Sequence, residues 1–119
     1  MGEIVKGIAE GMGAECEFSY VRGYSPNVNN KEMYELLKET VFELYGEENA
    51  KIPCVPSMGG EDFSFFSALV PSIYFSTGVH KPGTPYYSTH NEHFVADEDA
   101  FPVGINVMVT TALKYLERE

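Results

Sequence analysis

The clearest structural signal in this chain is an amphipathic helix bounded by residues that can begin and end it. Asn29 or Asn30 can cap its N-terminus with a side-chain oxygen, and Gly46 is placed to end it. Between them, apolar residues recur every three or four positions, which predicts a single buried stripe. The stripe consists of Met33, Leu36, Leu37, Val41 and Leu44.

Two further segments have the period of a helix. Apolar residues recur at helical spacing over residues 3–12, and Gly13 is placed to end that short helix. A last helix is expected to open near residues 97–99, whose carboxylates complement the helix dipole, with Pro102 tolerated in its first turn. Apolar residues lie all round this last helix, which predicts that it is mostly buried.

Two segments have the features of β-strands. Residues 15–20 alternate between apolar and polar side chains, as a strand does when one face of its sheet is in solvent. Residues 71–78, PSIYFSTG, are rich in β-branched and aromatic residues, which favours a strand covered on both faces. Residues 1–22 hold too little apolar surface to stand alone, so we expect them to belong to a larger sheet.

The remaining segments are expected to be connectors. Residues 23–30, GYSPNVNN, have a composition that breaks regular structure and make a hinge candidate. The prolines of IPCVP, residues 52–56, exclude a central strand and favour an extended edge or loop. A short helix is expected over residues 61–69, and a loop over residues 78–88.

Composition narrows the classes of function. The 119 residues are 44% hydrophobic and 22% charged, as in an ordinary globular domain. A formal net charge of −10 argues against binding nucleic acid or an acidic membrane surface. We find neither a signal peptide nor a run near the roughly 20 apolar residues that span a bilayer, so a cytoplasmic location is expected. The two cysteines, Cys16 and Cys54, are expected to be reduced and buried.

The histidines are the first candidates for chemistry. His90 and His93 lie three residues apart, and His80 is the third. A catalytic zinc ion commonly takes three protein ligands, and a His-x-x-His pair could supply two. The spacing alone favours two polar residues in a solvated loop, because no HExxH or CxxC context accompanies it. The carboxylates of residues 97–99 are expected to cap a helix rather than bind metal.

The segment MGGEDF is the second candidate. Gly59 and Gly60 let the backbone approach a ligand closely, and N–H groups of a following helical turn can attract a carboxylate. The alternative is an ordinary turn in which Glu61 and Asp62 offset the helix dipole. The sequence carries no G-x-S-x-G elbow, phosphate-binding loop or dinucleotide fingerprint. These residues predict a pocket without a complete catalyst.

Three segments, read in order, resemble the C-terminal end of the zinc-dependent aminoacylase and carboxypeptidase family. They are MGGEDFSFF, VPSIYFSTG and STHNEHFVADEDAFPVGINVMVTTALKYL. The resemblance covers nearly the whole chain and is greatest to the branch of hippurate hydrolase and other N-acyl-amino-acid amidohydrolases. It implies an α/β fold, the C-terminal portion of a zinc-peptidase-like catalytic domain preceded by the last helix and strand of a lid domain. Residues 1–23 would end the lid, 24–30 form the hinge, and 31–119 belong to the catalytic domain.

The resemblance also implies roles for individual residues. His90 matches a ligand to one of two metal ions, expected to be zinc, with manganese or cobalt as alternatives, whereas His93 falls where the family varies. Thr89 and Glu92 depart from the residues usual beside that ligand. The substrate's carboxylate end would meet a turn that Asp62 orders by hydrogen bonding. That turn consists of Gly59, Gly60 and Glu61.

The implied function is that of a metal-dependent amidohydrolase or peptidase acting on N-acyl-amino acids or small peptides. The family's other ligands and its general-base glutamate would lie upstream of the lid, so no catalytic residue is expected in this segment. The chain alone is therefore expected to be inactive. A homodimer through lid elements is possible. The alternative is a non-catalytic α/β module for binding or oligomerisation, in which the histidines are structural.

Overall fold

The computed structural model describes residues 1–50 and 56–118, and the secondary structure of these residues is helical. The four α-helices are α1 (Gly2–Gly11), α2 (Lys31–Tyr45), α3 (Ser64–Ser67) and α4 (Phe101–Leu116). Two short 3-10 helices cover Glu47–Asn49 and Glu98–Ala100. None of the described helices has the length and apolar character required to cross a membrane.

Helices α2 and α4 pack against each other and form the core. Leu36 of α2 is 1% exposed and Val107 of α4 is 3% exposed, so the centre of the predicted apolar stripe is buried, whereas Leu44 at its end is exposed. The side chain of Asn30 accepts hydrogen bonds from the first turn of α2, and Gly46 ends the helix with a φ of 82°. The predicted cap and end of α2 are therefore confirmed, and its predicted stripe is confirmed at the centre.

The expected α/β fold is contradicted, because the described residues contain no β-strand. Residues 15–20 and 71–78 are extended, but neither has a neighbouring strand with which to form a ladder. Alternation of side chains suits a strand, whereas a sheet also needs a partner for the backbone N–H and C=O groups. The described residues supply no second strand beside either segment, and so the two predicted strands are absent.

The other helices agree with the sequence predictions in position more than in burial. Helix α1 matches the prediction closely, and α3 covers only the middle of the predicted 61–69 helix. Helix α4 was expected to be mostly buried, yet Val107 is its only buried residue. Its exposed apolar side chains are Phe101, Ile105, Met108, Val109, Leu113 and Leu116. The prediction failed because only one face of α4 meets α2, and nothing described covers the others.

The described residues form an elongated body. Its radius of gyration is 20.6 Å, whereas a compact domain of this length would have roughly 13 to 14 Å. Cys16 is exposed, so its predicted burial is wrong. Cys54 and most of the IPCVP segment lie outside the described residues. The shape leaves much apolar surface in contact with solvent.

Candidate functional site

The 59–62 turn leads into α3 and is built from local hydrogen bonds. The N–H of Gly59 donates to the hydroxyl oxygen of Ser57 at 3.1 Å. The carbonyl of Glu61 accepts from the N–H of Ser64 at 3.2 Å, and the Oε1 atom of Glu61 accepts from the N–H of Phe63 at 3.3 Å. Gly59 and Gly60 are exposed, so the backbone here is open to a ligand.

Tyr74 connects this turn to the extended segment 71–78. Its hydroxyl donates to the Oε2 atom of Glu61 at 3.0 Å, and its ring lies 5.5 Å from that of Phe63, centroid to centroid. The backbone of Tyr74 is held by Asn29, whose carboxamide donates to its carbonyl at 2.9 Å and accepts from its N–H at 2.8 Å. Sequence reasoning missed both residues, because it placed Asn29 in a hinge or cap and Tyr74 in a strand.

The pKa values of the neighbouring Glu61 and Asp62 carboxyl groups are shifted in opposite directions. The pKa of Glu61 is lowered by the hydrogen bond from Asp62 first, and then by those from the Phe63 N–H and the Tyr74 hydroxyl. The pKa of Asp62 is raised, because it donates to Glu61 and lies beside that charge. The same hydrogen bond to Glu61 raises the pKa of Tyr74. The two carboxyl groups thus influence each other's protonation, and the ordering role expected of Asp62 stays a prediction.

His90 lies in an exposed turn with an unusual backbone conformation. Its φ of 71° makes it the one non-glycine residue with a positive φ in the described ranges. Residues other than glycine seldom adopt this conformation, and such positions are common at functional sites. The turn is fixed by the N–H of Asn91, which donates to the carbonyl of Ser88, and by the side chain of Asn91, which accepts from the N–H of His93.

His80 and His93 line a cleft of about 1100 Å³ that His90 does not line. The ring of His80 stands edge-on to Tyr86 at 5.5 Å, and the ring of His93 lies 5.3 Å from that of Tyr87. The 59–62 turn is not part of this cleft either. The described structure therefore does not bring the three histidines and the double-glycine turn into one pocket.

Comparison with known proteins identifies the family. The sequence profile of Peptidase family M20/M25/M40 matches residues 2–114. The chain belongs to this family. The resemblance to zinc-dependent aminoacylases and carboxypeptidases is thereby confirmed, and the match includes both His90 and the 59–62 turn.

Several members of the M20/M25/M40 family resemble the chain individually. IAA-amino acid hydrolase ILR1-like 2 of Arabidopsis thaliana is 34% identical over 79% of this chain and 21% of its own length. Thermostable carboxypeptidase 2 of Saccharolobus solfataricus is 30% identical over 97% of this chain and 29% of its own. N-acetyldiaminopimelate deacetylase of Streptococcus suis is 31% identical over 87% of this chain and 26% of its own length. The chain thus spans less than a third of the length of these relatives. No solved structure matches it significantly.

Proteins of the M20/M25/M40 family generally depend on a metal ion, so the number of potential metal ligands in this chain is relevant. Within residues 1–50 and 56–118, no three His, Cys, Asp or Glu side chains are grouped so that they could hold a metal ion. A catalytic zinc site usually needs three protein ligands. The described residues therefore do not form a metal site by themselves, and His90 could supply at most one ligand.

Asp97 caps the 3-10 helix Glu98–Ala100, because its side chain accepts a hydrogen bond from the N–H of Asp99, as predicted.

Proposed function

We propose that this chain is the C-terminal part of a metal-dependent amidohydrolase that cleaves the amide bond of N-acyl-amino acids or small peptides. The observation that carries this proposal is the family match over residues 2–114. Relatives named as an amino acid hydrolase, a carboxypeptidase and a deacetylase support it, because each name describes cleavage of an amide bond or removal of an acyl group. In this proposal the remaining machinery lies in other polypeptide, which is in keeping with the chain's share of these relatives' length.

In this proposal His90 is one ligand in a site that other polypeptide completes. Its imidazole is exposed, and its backbone is fixed in a conformation that few residues adopt, both of which suit a side chain held for a ligand. Zinc is the proposed ion, with manganese and cobalt as alternatives, since imidazole is a ligand for several transition metals. The isolated 119 residues are accordingly expected to hydrolyse nothing at a useful rate.

The 59–62 turn is the proposed contact for the substrate's carboxylate end. Backbone N–H groups of Gly59, Gly60 and Glu61 would hold it, since glycine leaves the backbone accessible. Asp62 would keep the turn ordered by hydrogen bonding to Glu61, which the lowered pKa of Glu61 supports. These two side chains serve the geometry of the turn, while the backbone supplies the donors.

The test compares His90→Ala with His93→Ala in the full-length protein loaded with zinc. Metal content is measured by mass spectrometry, and hydrolysis is followed with N-acetylalanine and N-benzoylglycine. We expect His90→Ala to lose one metal ion per chain and more activity than the roughly 10- to 100-fold typical of outer-shell substitutions. His93→Ala is the matched control, an exposed histidine in the same loop, and should keep both ions.

The alternative function, a non-catalytic module for binding or oligomerisation, makes the opposite prediction. It expects His90→Ala to change neither metal content nor hydrolysis. The exposed apolar residues of α1, among them Ile4 and Ile8, are relevant to both functions, because a homodimer through residues 1–23 is also part of our proposal. Light scattering of Ile8→Asp, expected to be monomeric, tests that dimer separately.

The protein is also proposed to act in the cytoplasm and to bind neither nucleic acid nor a membrane.

A further inference from the structure

The segment 24–30 contacts the 59–62 turn directly through Tyr24. A Cβ atom built on Gly60 would lie 2.7 Å from the Cδ2 atom of Tyr24, which is closer than real Cβ contacts allow. The φ of Gly60 is not in the left-handed region, so it is the close approach of the Tyr24 ring that a side chain at this position would disturb. The Tyr24 ring also stands edge-on to Phe65 of α3, with centroids 5.7 Å apart.

The same segment reaches the turn a second time through Asn29 and Tyr74. The carboxamide of Asn29 makes both hydrogen bonds that a neighbouring strand would make to the backbone of Tyr74. The N–H of Asn30 adds a bond to the carbonyl of Ser72 at 2.9 Å. Tyr74 then donates its hydroxyl to Glu61, so a continuous path of hydrogen bonds runs from Asn29 to the turn.

These contacts contribute little to the core. Tyr24 is 55% exposed and Tyr74 is 43% exposed, and the buried apolar side chains of the described residues lie in α2 and α4. A surface network that ends on the same short turn from two sides has its main effect on the position of that turn. The segment 24–30 also joins residues 1–23 to α2, so a displacement of this segment would reach the turn by both contacts.

We infer that Tyr24, Asn29 and Tyr74 are positioning residues that set the geometry of the 59–62 turn and so control how well it holds the substrate's carboxylate end. We call these three residues the brace. The inference rests on the proposed function of the turn. Because the brace touches the binding turn and none of the proposed metal ligands, its loss should weaken substrate binding and leave the chemical step unchanged. The expected signature is a rise in KM with kcat preserved.

The first experiment removes the Asn29 bonds in the full-length protein. Asn29→Ala loses both hydrogen bonds to Tyr74, and we expect KM to rise about tenfold while kcat stays within about twofold. Asn29→Asp keeps the oxygen that accepts from the Tyr74 N–H, so its KM should lie in between. Asn49→Ala is the control, since Asn49 also donates to a backbone carbonyl, that of Tyr45, remote from the turn in sequence. It should leave KM unchanged.

The second experiment is a double-mutant cycle between Gly60 and Tyr24. Gly60→Ala should raise KM about tenfold, because its methyl group displaces the Tyr24 ring and shifts the turn. In a Tyr24→Ala background the same substitution should add less than about twofold. Gly23→Ala is the control glycine, because a Cβ there would meet nothing within 4 Å. Additive effects of the two substitutions would overturn the Tyr24 contact.

A readout independent of hydrolysis separates this inference from the proposed function. The ¹³C resonance of the Glu61 carboxyl group reports its titration, which the hydrogen bond from Tyr74 affects. Asn29→Ala should move that titration toward higher pH, and Asn49→Ala should not. If the wild-type protein hydrolyses no amide, the proposed function fails and the Glu61 titration alone decides the brace. If Asn29→Ala changes neither the titration of Glu61 nor KM, the inference about the brace is overturned.

Discussion

The α2–α4 pair and the 59–62 turn are held in place by different forces. The helix pair buries apolar side chains, led by Leu36 and Val107, and excludes water from them. The turn is held by hydrogen bonds and ring contacts between exposed side chains, among them Tyr24 and Tyr74. The stability of the described residues therefore resides mainly in one region, and the geometry of the candidate binding turn in the other. Substitutions should separate the two.

The largest expected effect is on the helix pair. Leu36→Ala removes a side chain that is almost wholly buried, and should lower the free energy of unfolding by about 2 to 5 kcal/mol through lost burial and the cavity left behind. Urea denaturation of the full-length protein measures it. Leu69→Ala is the matched control, because Leu69 is 83% exposed and should cost less than about 0.5 kcal/mol. Equal costs at the two leucines would show that the core lies elsewhere.

Substitutions at two adjacent asparagines should have effects of intermediate size that distinguish the helix pair from the 59–62 turn. Asn30 caps α2 by accepting from the N–H groups of Glu32 and Met33, so Asn30→Ala should cost about 1 kcal/mol of stability with KM unchanged. Asn29, one residue earlier, should show the reverse, a change in KM larger than its change in stability. Urea denaturation and steady-state kinetics on both variants give the comparison. If both variants changed stability and KM in the same way, the helix pair and the 59–62 turn would not be independent.

The helix pair could be predicted from sequence because its determinants are local. Asn30 and Gly46 act on the helix that they flank, and the spacing of Leu36 and its neighbours repeats with the helix. The strand predicted over residues 71–78 failed for the opposite reason. Its pattern describes side chains, whereas a sheet requires a second strand. Among the described residues, the neighbour that pairs with its backbone in this way is the side chain of Asn29.

The candidate site was predictable only in part. The two glycines of the 59–62 turn were evident, but the reason for Gly60, the ring of Tyr24, is a contact between residues 36 positions apart in sequence. The Tyr74 to Glu61 hydrogen bond likewise joins residues 13 positions apart. Nothing in the local pattern indicates such pairs. The role proposed for His90 came from the family resemblance, since its spacing from His93 by itself favoured a solvated loop over a metal site.

The smallest expected effect on stability belongs to the carboxyl pair of the turn. The lowered pKa of Glu61 gives a contribution that is present above its ordinary pKa and is lost as the pH falls through the folded value. The raised pKa of Asp62 has the opposite sign, so its contribution is present at low pH and is lost as the pH rises through the folded value. Because the two oppose each other, unfolding should change little between pH 3 and 6, roughly the range of ordinary carboxyl pKa values.

The pair should nevertheless be visible by titration. In ¹³C spectra Glu61 should titrate below its ordinary value and Asp62 above its own, which brings the two together or reverses their usual order. Tyr74→Phe removes one donor to Glu61 and should raise the pKa of Glu61, while Tyr87→Phe, in another loop, should leave it unchanged. If Glu61 titrates identically in all three proteins, Tyr74 does not hold the turn. Of the two exposed tyrosines said to hold the turn, in contrast to the buried helix pair, Tyr24 alone would then remain.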